Sequence, residues 1–281
     1  MTHAASVRPM LASDLDAAVN VTAAAFSRDL GDEGVARRWR ERIAYPWQTD
    51  PGGAFVAEVD GQVIGVAEAI VRERLWCLSM LAVEPGTQSA GAGRALMERA
   101  AQYGGGDDPG LIVSSNDPRA LRLYADCGFA LYPTFEASGT VDRRRVPALG
   151  GSVREDDGGD LEAFAELTRE VRGAPYTDEL RFLFAQGARL LRIADQGFAA
   201  VNSEGMLWAL VARDDETASA LLWKALALAE GPARVRWITG TQQWAINIVA
   251  RAGMRLTAYG ALCVRGTPGP LAPFLPNNSF A

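Results

Sequence analysis

Two spacings of apolar residues take turns along this chain. After Ser6-Val7-Arg8, residues Leu15, Ala18, Val19, Thr22 and Phe26 recur at helical intervals. They predict an amphipathic helix with Ser13 as its N-cap and Asp16 three residues on. The polar stretch GDEGVARRWRERIAYP continues in helical register, and its Arg37, Arg38, Arg40 and Arg42 read as a solvated face. From Gly53 the period shortens to two. GAFVAEVDGQVIGVAEAIV reads as two strands joined at Asp60-Gly61, a hairpin signal, and LWCLSMLAV (75–83) as a third. A glycine loop, a helix over 91–103, the strand LIVSS, the helix PRALRLYADC and the strand FALYPTFEASG follow.

The order then repeats. Ser152-Val153-Arg154 matches Ser6-Val7-Arg8 at an offset of 146, and Asp160-Leu161 matches Asp14-Leu15. Later the offset is 125, at which Ala120 meets Ala245, Leu123 meets Ile248 and Gly128 meets Gly253. The second copy is therefore about 21 residues shorter, mostly where the Arg-rich stretch stands in the first. The expected organisation is a domain over 1–142, a linker over 143–151, a second domain over 152–266 and a Pro-rich tail over 267–281.

Composition narrows the chemistry. The net charge of −6 disfavours nucleic-acid and acidic-membrane partners. Three scattered cysteines, Cys77, Cys127 and Cys263, make neither a disulfide framework nor a CxxC metal site. The only histidine, His3, removes histidine triads and HExxH zinc sites, so no metal is expected. No signal peptide or membrane-length apolar run is evident, and the expected location is the cytoplasm.

The candidate chemistry sits in GTQSAGAGRALMERA, residues 86–100. Glycine here serves a tight turn, or it bares backbone amides at a helix head to make an anion site. The loop lacks the third glycine of a dinucleotide fingerprint and the Gly-Lys-Ser/Thr ending of a phosphate-binding P-loop. What remains is Gln-x-x-Gly-x-Gly between a strand and a helix. In this, Gln88, Gly91 and Gly93 resemble motif A of the GNAT N-acetyltransferase superfamily, and Leu81 to Pro85 resemble the end of its fourth strand. Asn116, Ala120, Leu123, Tyr124, Gly128 and Phe129 resemble its motif B. The resemblance covers residues 6 to about 140 well and the second half as a faded copy.

The resemblance implies an α/β (α+β) fold of two tandem GNAT-like domains, each a mixed, mostly antiparallel sheet flanked by helices. It implies acetyl-CoA as co-substrate, its pyrophosphate on the amides of Gln88, Ser89, Ala90, Gly91, Ala92, Gly93 and Arg94, where a Cβ at Gly91 or Gly93 would obstruct it. Backbone groups of Leu81, Ala82 and Val83 would pair with the pantetheine arm, an amide near Leu81 would polarise the acetyl carbonyl, and Asn116 would complete the cofactor set. Tyr124 stands where the family's general acid stands; its other reading is a core aromatic on the Ala120/Leu121 face. Cys77 occupies the position, eleven residues before Gln88, where several members carry a basic glutamate. Simple alternation places it on one face with Ser79, Leu81 and Val83. It is a candidate base or nucleophile, or a buried thiol beside a water that removes the proton, with Glu68 and Glu73 as alternatives.

At the offset of 125 the second copy replaces Gln88 by Arg213, Gly91 by Glu216, Gly93 by Ala218 and Tyr124 by Val249. Its loop RDDETAS aims carboxylates where a pyrophosphate would lie, so this copy is expected to be silent. Tandem members that carry catalysis in the C-terminal copy show the reverse, which argues against carrying over their acceptor. The expected activity is N-acetylation of a small-molecule amine. An acetyl-CoA sensor and a protein N-acetyltransferase are the alternatives. Asp29, Asp32 and Glu33 read as a hold for a cationic acceptor or as an exposed turn.

Overall fold

The computed structural model describes residues 5–87, 91–105, 108–148, 151–156, 158–277 and 279–280. The chain divides into two compact units, residues 1–108 with Phe280, and residues 109–279 with Ala281. That division falls upstream of the stretch 143–151 read as a linker.

In the first unit, β1 (Ser6–Pro9), β2 (Ala54–Val59), β3 (Gln62–Arg72) and β4 (Leu75–Val83) form an antiparallel run in sequence order. Asp60 and Gly61 both take positive φ, 52° and 77°, as a two-residue hairpin turn matched to strand twist requires. Helices α1 (Leu15–Ala25) and α2 (Glu33–Thr49) cover one face, where Val19, Ile43, Val56, Val66, Met80 and Ala82 share a core. Helix α3 (Ala92–Gln102) covers the other, and the Trp76 indole donates to the Ala100 carbonyl there at 3.0 Å. Asp14, not Ser13, precedes α1. Its carboxylate takes Arg8 at 2.6 and 2.9 Å and the Leu11 amide at 2.8 Å, closing a 3-10 turn first.

The second unit holds β5 (Gly110–Ser114), α4 (Pro118–Asp126) and β6 (Ala130–Gly139). These are followed by β7 (Arg154–Asp156), α5 (Ala165–Arg172), α6 (Thr177–Ala185), β8 (Arg189–Ile193), β9 (Gly197–Val201) and β10 (Leu207–Ala212). Next come α7 (Asp215–Leu228), β11 (Ala233–Thr239), α8 (Gln243–Arg251), β12 (Arg255–Arg265) and β13 (Phe274–Leu275). Strands β7 to β10 repeat the meander, and α6 is 9 residues long where α2 has 17. The repeat extends to packing. Gly65 on β3 leaves room for Leu96 of α3, and Gly197 on β9 does the same for Leu221 of α7; an added Cβ would lie 2.8 and 2.9 Å from those methyls.

The two repeats exchange their last strands. β12 of the second repeat pairs with β5 of the first, β6 of the first pairs with β11 of the second, and β6 and β12 pair with each other, all antiparallel. This exchange places 109–142 in one compact unit with the second repeat. The Pro-rich tail is docked: β13 pairs with β10, and the Asn277 amide donates to the Trp208 carbonyl at 3.1 Å. Among the described residues no helix is long and apolar enough to cross a membrane.

Candidate active site

β4 ends at Val83 and the chain turns through Glu84 to Thr87, and Gln88, Ser89 and Ala90 lie outside the described residues. Gly91 is the N-cap, with φ of 73°, and it has no side chain to accept the amides of the first turn. Nothing lies within 4 Å of an added Cβ at Gly91, so its glycine answers to the left-handed backbone. Gly93 differs. Its φ is ordinary, and an added Cβ would make only a 3.7 Å contact with Val83 Cγ2. The protein's own packing therefore does not require glycine at 93, although glycine weakens a helix by about 1 kcal/mol relative to alanine. Bare backbone at a helix head that no N-cap side chain covers suits a bulky anion.

Residues before the loop depart from simple alternation. Leu81 pairs with Ala67 and Met80 with Glu68, but Leu78 pairs with Ala69. Ser79 is thus an inserted residue, and Ser79 and Met80 together face Glu68. The bulge reverses the faces below it. Cys77, opposite Ile70, turns to the α1/α2 side, while Leu81 and Val83 turn to the α3 side. The shared face expected for Cys77, Leu81 and Val83 is corrected accordingly, and Cys77 is 1% exposed. Ala82 is buried in the α1/α2 core, and Leu81 and Val83 are half-buried.

Under the bulge lies a group that the polar pattern of α2 concealed. Arg42 is buried, unlike exposed Arg37, Arg38 and Arg40. Its Nη1 meets Glu68 Oε2 at 3.3 Å, and its Nη2 donates to the Ser79 carbonyl, the inserted residue of β4. The Phe280 ring, 1% exposed, lies 5.3 Å from the guanidinium and edge-on to Tyr45. Glu68 is 0% exposed. Burial pushes its carboxyl up to about 8, against the pull of Arg42, and burial likewise draws Arg42 down from the usual guanidinium range. Glu68 Oε1 and the Ser79 hydroxyl have no hydrogen-bond partner. A Glu in the middle of an apolar strand was the available signal for this group.

Asp29 and Asp32 serve their own turn. Asp29 accepts from the Gly31 amide at 2.9 Å and Asp32 from the Val35 amide at 2.8 Å, capping α2.

In the second unit, Asn116 is exposed just before α4, whose cap Asp117 accepts from the Arg119 amide at 2.9 Å. Tyr124 lies in the last turn of α4 and is 5% exposed. Burial holds its phenol above the usual tyrosine range, with Cys263 adding to the rise. Gly128, at φ of 83°, ends the helix: its amide bonds the Ala125 carbonyl at 3.0 Å and the Phe129 amide bonds that of Tyr124 at 3.1 Å. Gly253 and Met254 repeat this cap on Ala250 and Val249.

The head of α7 is built differently from that of α3. Its N-cap is Asp214, whose carboxylate accepts from the Thr217 amide at 2.7 Å. Arg213 is held by Glu170, and Val249 is fully buried. Where α3 offers an open cap, α7 supplies its own anion.

Against this geometry the likenesses to known proteins fall into place. Residues 16–129 match the Acetyltransferase (GNAT) family. A mycothiol acetyltransferase of Kineococcus radiotolerans is 36% identical over 133 residues, 44% of this chain and 42% of the relative, so the match spans less than half of either. A solved protein of Pyrococcus horikoshii, described as a candidate acetyltransferase, superposes with a TM-score of 0.81 at 16% identity, over 100% of this chain and 97% of its own. A tandem GNAT protein of the clavulanic acid biosynthesis pathway gives 0.57 at 16% identity, over 94% and 99%. The two structures share the fold of the whole chain, and the stretch from α1 through the glycine loop to the cap of α4 is a GNAT acetyltransferase domain.

Proposed function

We propose that this protein transfers the acetyl group of acetyl-CoA to the amine of a small molecule. The head of α3 carries the reading: a glycine-capped helix, open to an anion, directly follows the fourth strand of a GNAT domain. The amides of residues 88–94 take the pyrophosphate, with the positive helix end adding to the attraction. Backbone groups of Leu81, Ala82 and Val83 take the pantetheine arm as an added strand, and Asn116 completes the cofactor contacts. Acetyl-CoA supplies the activated thioester. The amine attacks its carbonyl carbon, an amide near Leu81 stabilises the oxyanion, and the departing thiolate receives the proton of Tyr124. Burial keeps the Tyr124 phenol in its protonated form. The second repeat, with Asp214 closing α7, binds no cofactor.

Calorimetric titration of the full chain with acetyl-CoA tests the reading at its base. One site per chain is the expected result, and absence of binding overturns the proposal. Coenzyme A release with a panel of amines, a mycothiol-type amine among them because of the Kineococcus relative, tests the chemistry. Tyr124→Phe is expected to keep binding and lose turnover. Binding without release for any amine would favour a sensor instead.

A further inference from the structure

Strand β6 is flanked by a bulge on each side. On β11 the register with β6 passes from Val235–Ala137 to Ile238–Phe135, so Arg236 and Trp237 together face Glu136. On β12 it passes from Ala258–Phe135 to Ala261–Pro133, so Tyr259 and Gly260 together face Thr134. Bulges gather near active sites because the extra residue re-aims a side chain. Trp237 carries the strain of its bulge: its φ is 51°, a conformation that bulky residues avoid. Its indole reaches across β6 and β12, and Nε1 donates to the Ser114 carbonyl at 3.4 Å. Gly260 approaches the same carbonyl from β12, where an added Cβ would lie 1.8 Å from the oxygen. Ser114 ends β5, two residues before Asn116. Both bulges of the second repeat thus converge on the end of a strand of the first.

Arg236 is the charged member of this group. Its Nε donates to Glu136 Oε2 at 2.5 Å, and its guanidinium lies 5.0 Å from the Tyr259 ring and 5.8 Å from the Trp237 ring. The two rings meet edge-on at 5.8 Å. One carboxylate and two aromatic rings therefore fix the guanidinium plane. Its Nη groups have no partner among the described residues, and the side chain is partly exposed. Arg234 stands 3.9 Å from the same Glu136 oxygen, so two cations share one carboxylate. A planar fork held in place, with open donors and an unmatched positive charge, fits a second carboxylate bidentately.

We propose that Arg236 binds a carboxylate of the acceptor, which makes the acceptor an amino carboxylic acid, and that Trp237 and Tyr259 hold the guanidinium for it. The proposal rests on the acetyl-transfer reading and names its acceptor class. It gives the second repeat a task that needs no coenzyme A. Its bulged strands select the amine beside the end of β5, while the first repeat holds the cofactor.

The test is coenzyme A release by the full-chain protein with glycine, β-alanine and L-phenylalanine, each beside its primary amide, and with phosphoethanolamine. The wild type should favour at least one carboxylate over its amide by about 10-fold or more in kcat/KM. Arg236→Gln should raise the KM for that carboxylate by about 10- to 100-fold, erase the preference and leave acetyl-CoA affinity unchanged. Arg236→Lys keeps the charge but loses the fork, and its KM should fall between the two. Equal use of carboxylates and amides by the wild type, or a preference for phosphoethanolamine, overturns the carboxylate role. So does an Arg236→Gln protein with the wild-type KM. Should Arg236→Gln fail to fold, Arg236→Lys decides, and an unchanged KM there overturns the proposal. Release with none of these amines while acetyl-CoA still binds overturns the acceptor class alone. Absence of acetyl-CoA binding overturns the acetyl-transfer reading itself.

Discussion

Asp214 accepts a hydrogen bond from the Thr217 amide at 2.7 Å and so caps α7 with a side chain, where Gly91 caps α3 with none. The N-cap is a carboxylate in one repeat and a glycine in the other, and α7 begins earlier in register than α3, since Leu96 and Leu221 pack alike at the offset of 125. A first-turn amide bonded to Asp214 is unavailable to a phosphate, and the carboxylate charge repels one. Asp214→Ala should therefore cost about 1 kcal/mol of stability through the lost cap. It should not create a second acetyl-CoA site, because Glu216 and Asp215 remain in the first turn. Thermal unfolding and titration stoichiometry of the variant check both halves.

The two glycines of the α3 head separate folding from binding. Gly91→Ala places a side chain at φ of 73° and should destabilise by about 1–2 kcal/mol. Gly93→Glu meets no such strain, and an acidic residue in the first turn suits the helix dipole. It should leave the melting temperature unchanged or slightly raised while abolishing acetyl-CoA binding. Differential scanning calorimetry beside titration distinguishes the pair. A Gly93→Glu protein that still binds would mean the loop is only a turn.

The exchange of β6 and β12 carries a consequence for any attempt to isolate the first repeat. A chain ending at residue 142 keeps β5 and β6 but removes β12 from between them and β11 from the far edge. Two strands would then present unpaired edges, a template for association. Such a fragment should aggregate or dimerise and show reduced far-UV structure. Size-exclusion chromatography with circular dichroism checks this, and a folded monomer of residues 1–142 would contradict the exchange.

Much of this fold is legible in residue order. The Asp60-Gly61 turn, the strand at 75–83 and the glycine-headed helix carry local signals strong enough to survive folding, and Gly91, Gly93 and Tyr124 stand on the helices expected of them. Two features are not local. A bulge adds one residue without any mark in composition, so alternation read through Ser79 puts Cys77 on the wrong face. Strand exchange depends on which repeat supplies a neighbour, and equivalent strands carry equivalent patterns. Arg42 was hidden for a third reason: one arginine of four in a polar helix turns inward, and only the carboxylate waiting at Glu68 distinguishes it.

That pair makes stability depend on pH in a definite direction. Glu68 is raised to about 8 in the folded protein, so the folded state keeps a proton there that the unfolded chain releases at its ordinary carboxylate value. Its favourable contribution is complete below that ordinary value and is lost as pH rises through about 8. Glu68→Gln should flatten this part of the stability profile. Removing Arg42 alone, as Arg42→Met, leaves an uncompensated buried carboxylate and should cost about 3–5 kcal/mol at alkaline pH, and less where Glu68 is protonated. The double variant Arg42→Met/Glu68→Leu replaces the pair by apolar volume and should recover most of that loss. Chemical denaturation of the single and double variants across pH checks both predictions, and a double variant no more stable than Arg42→Met would contradict the pairing.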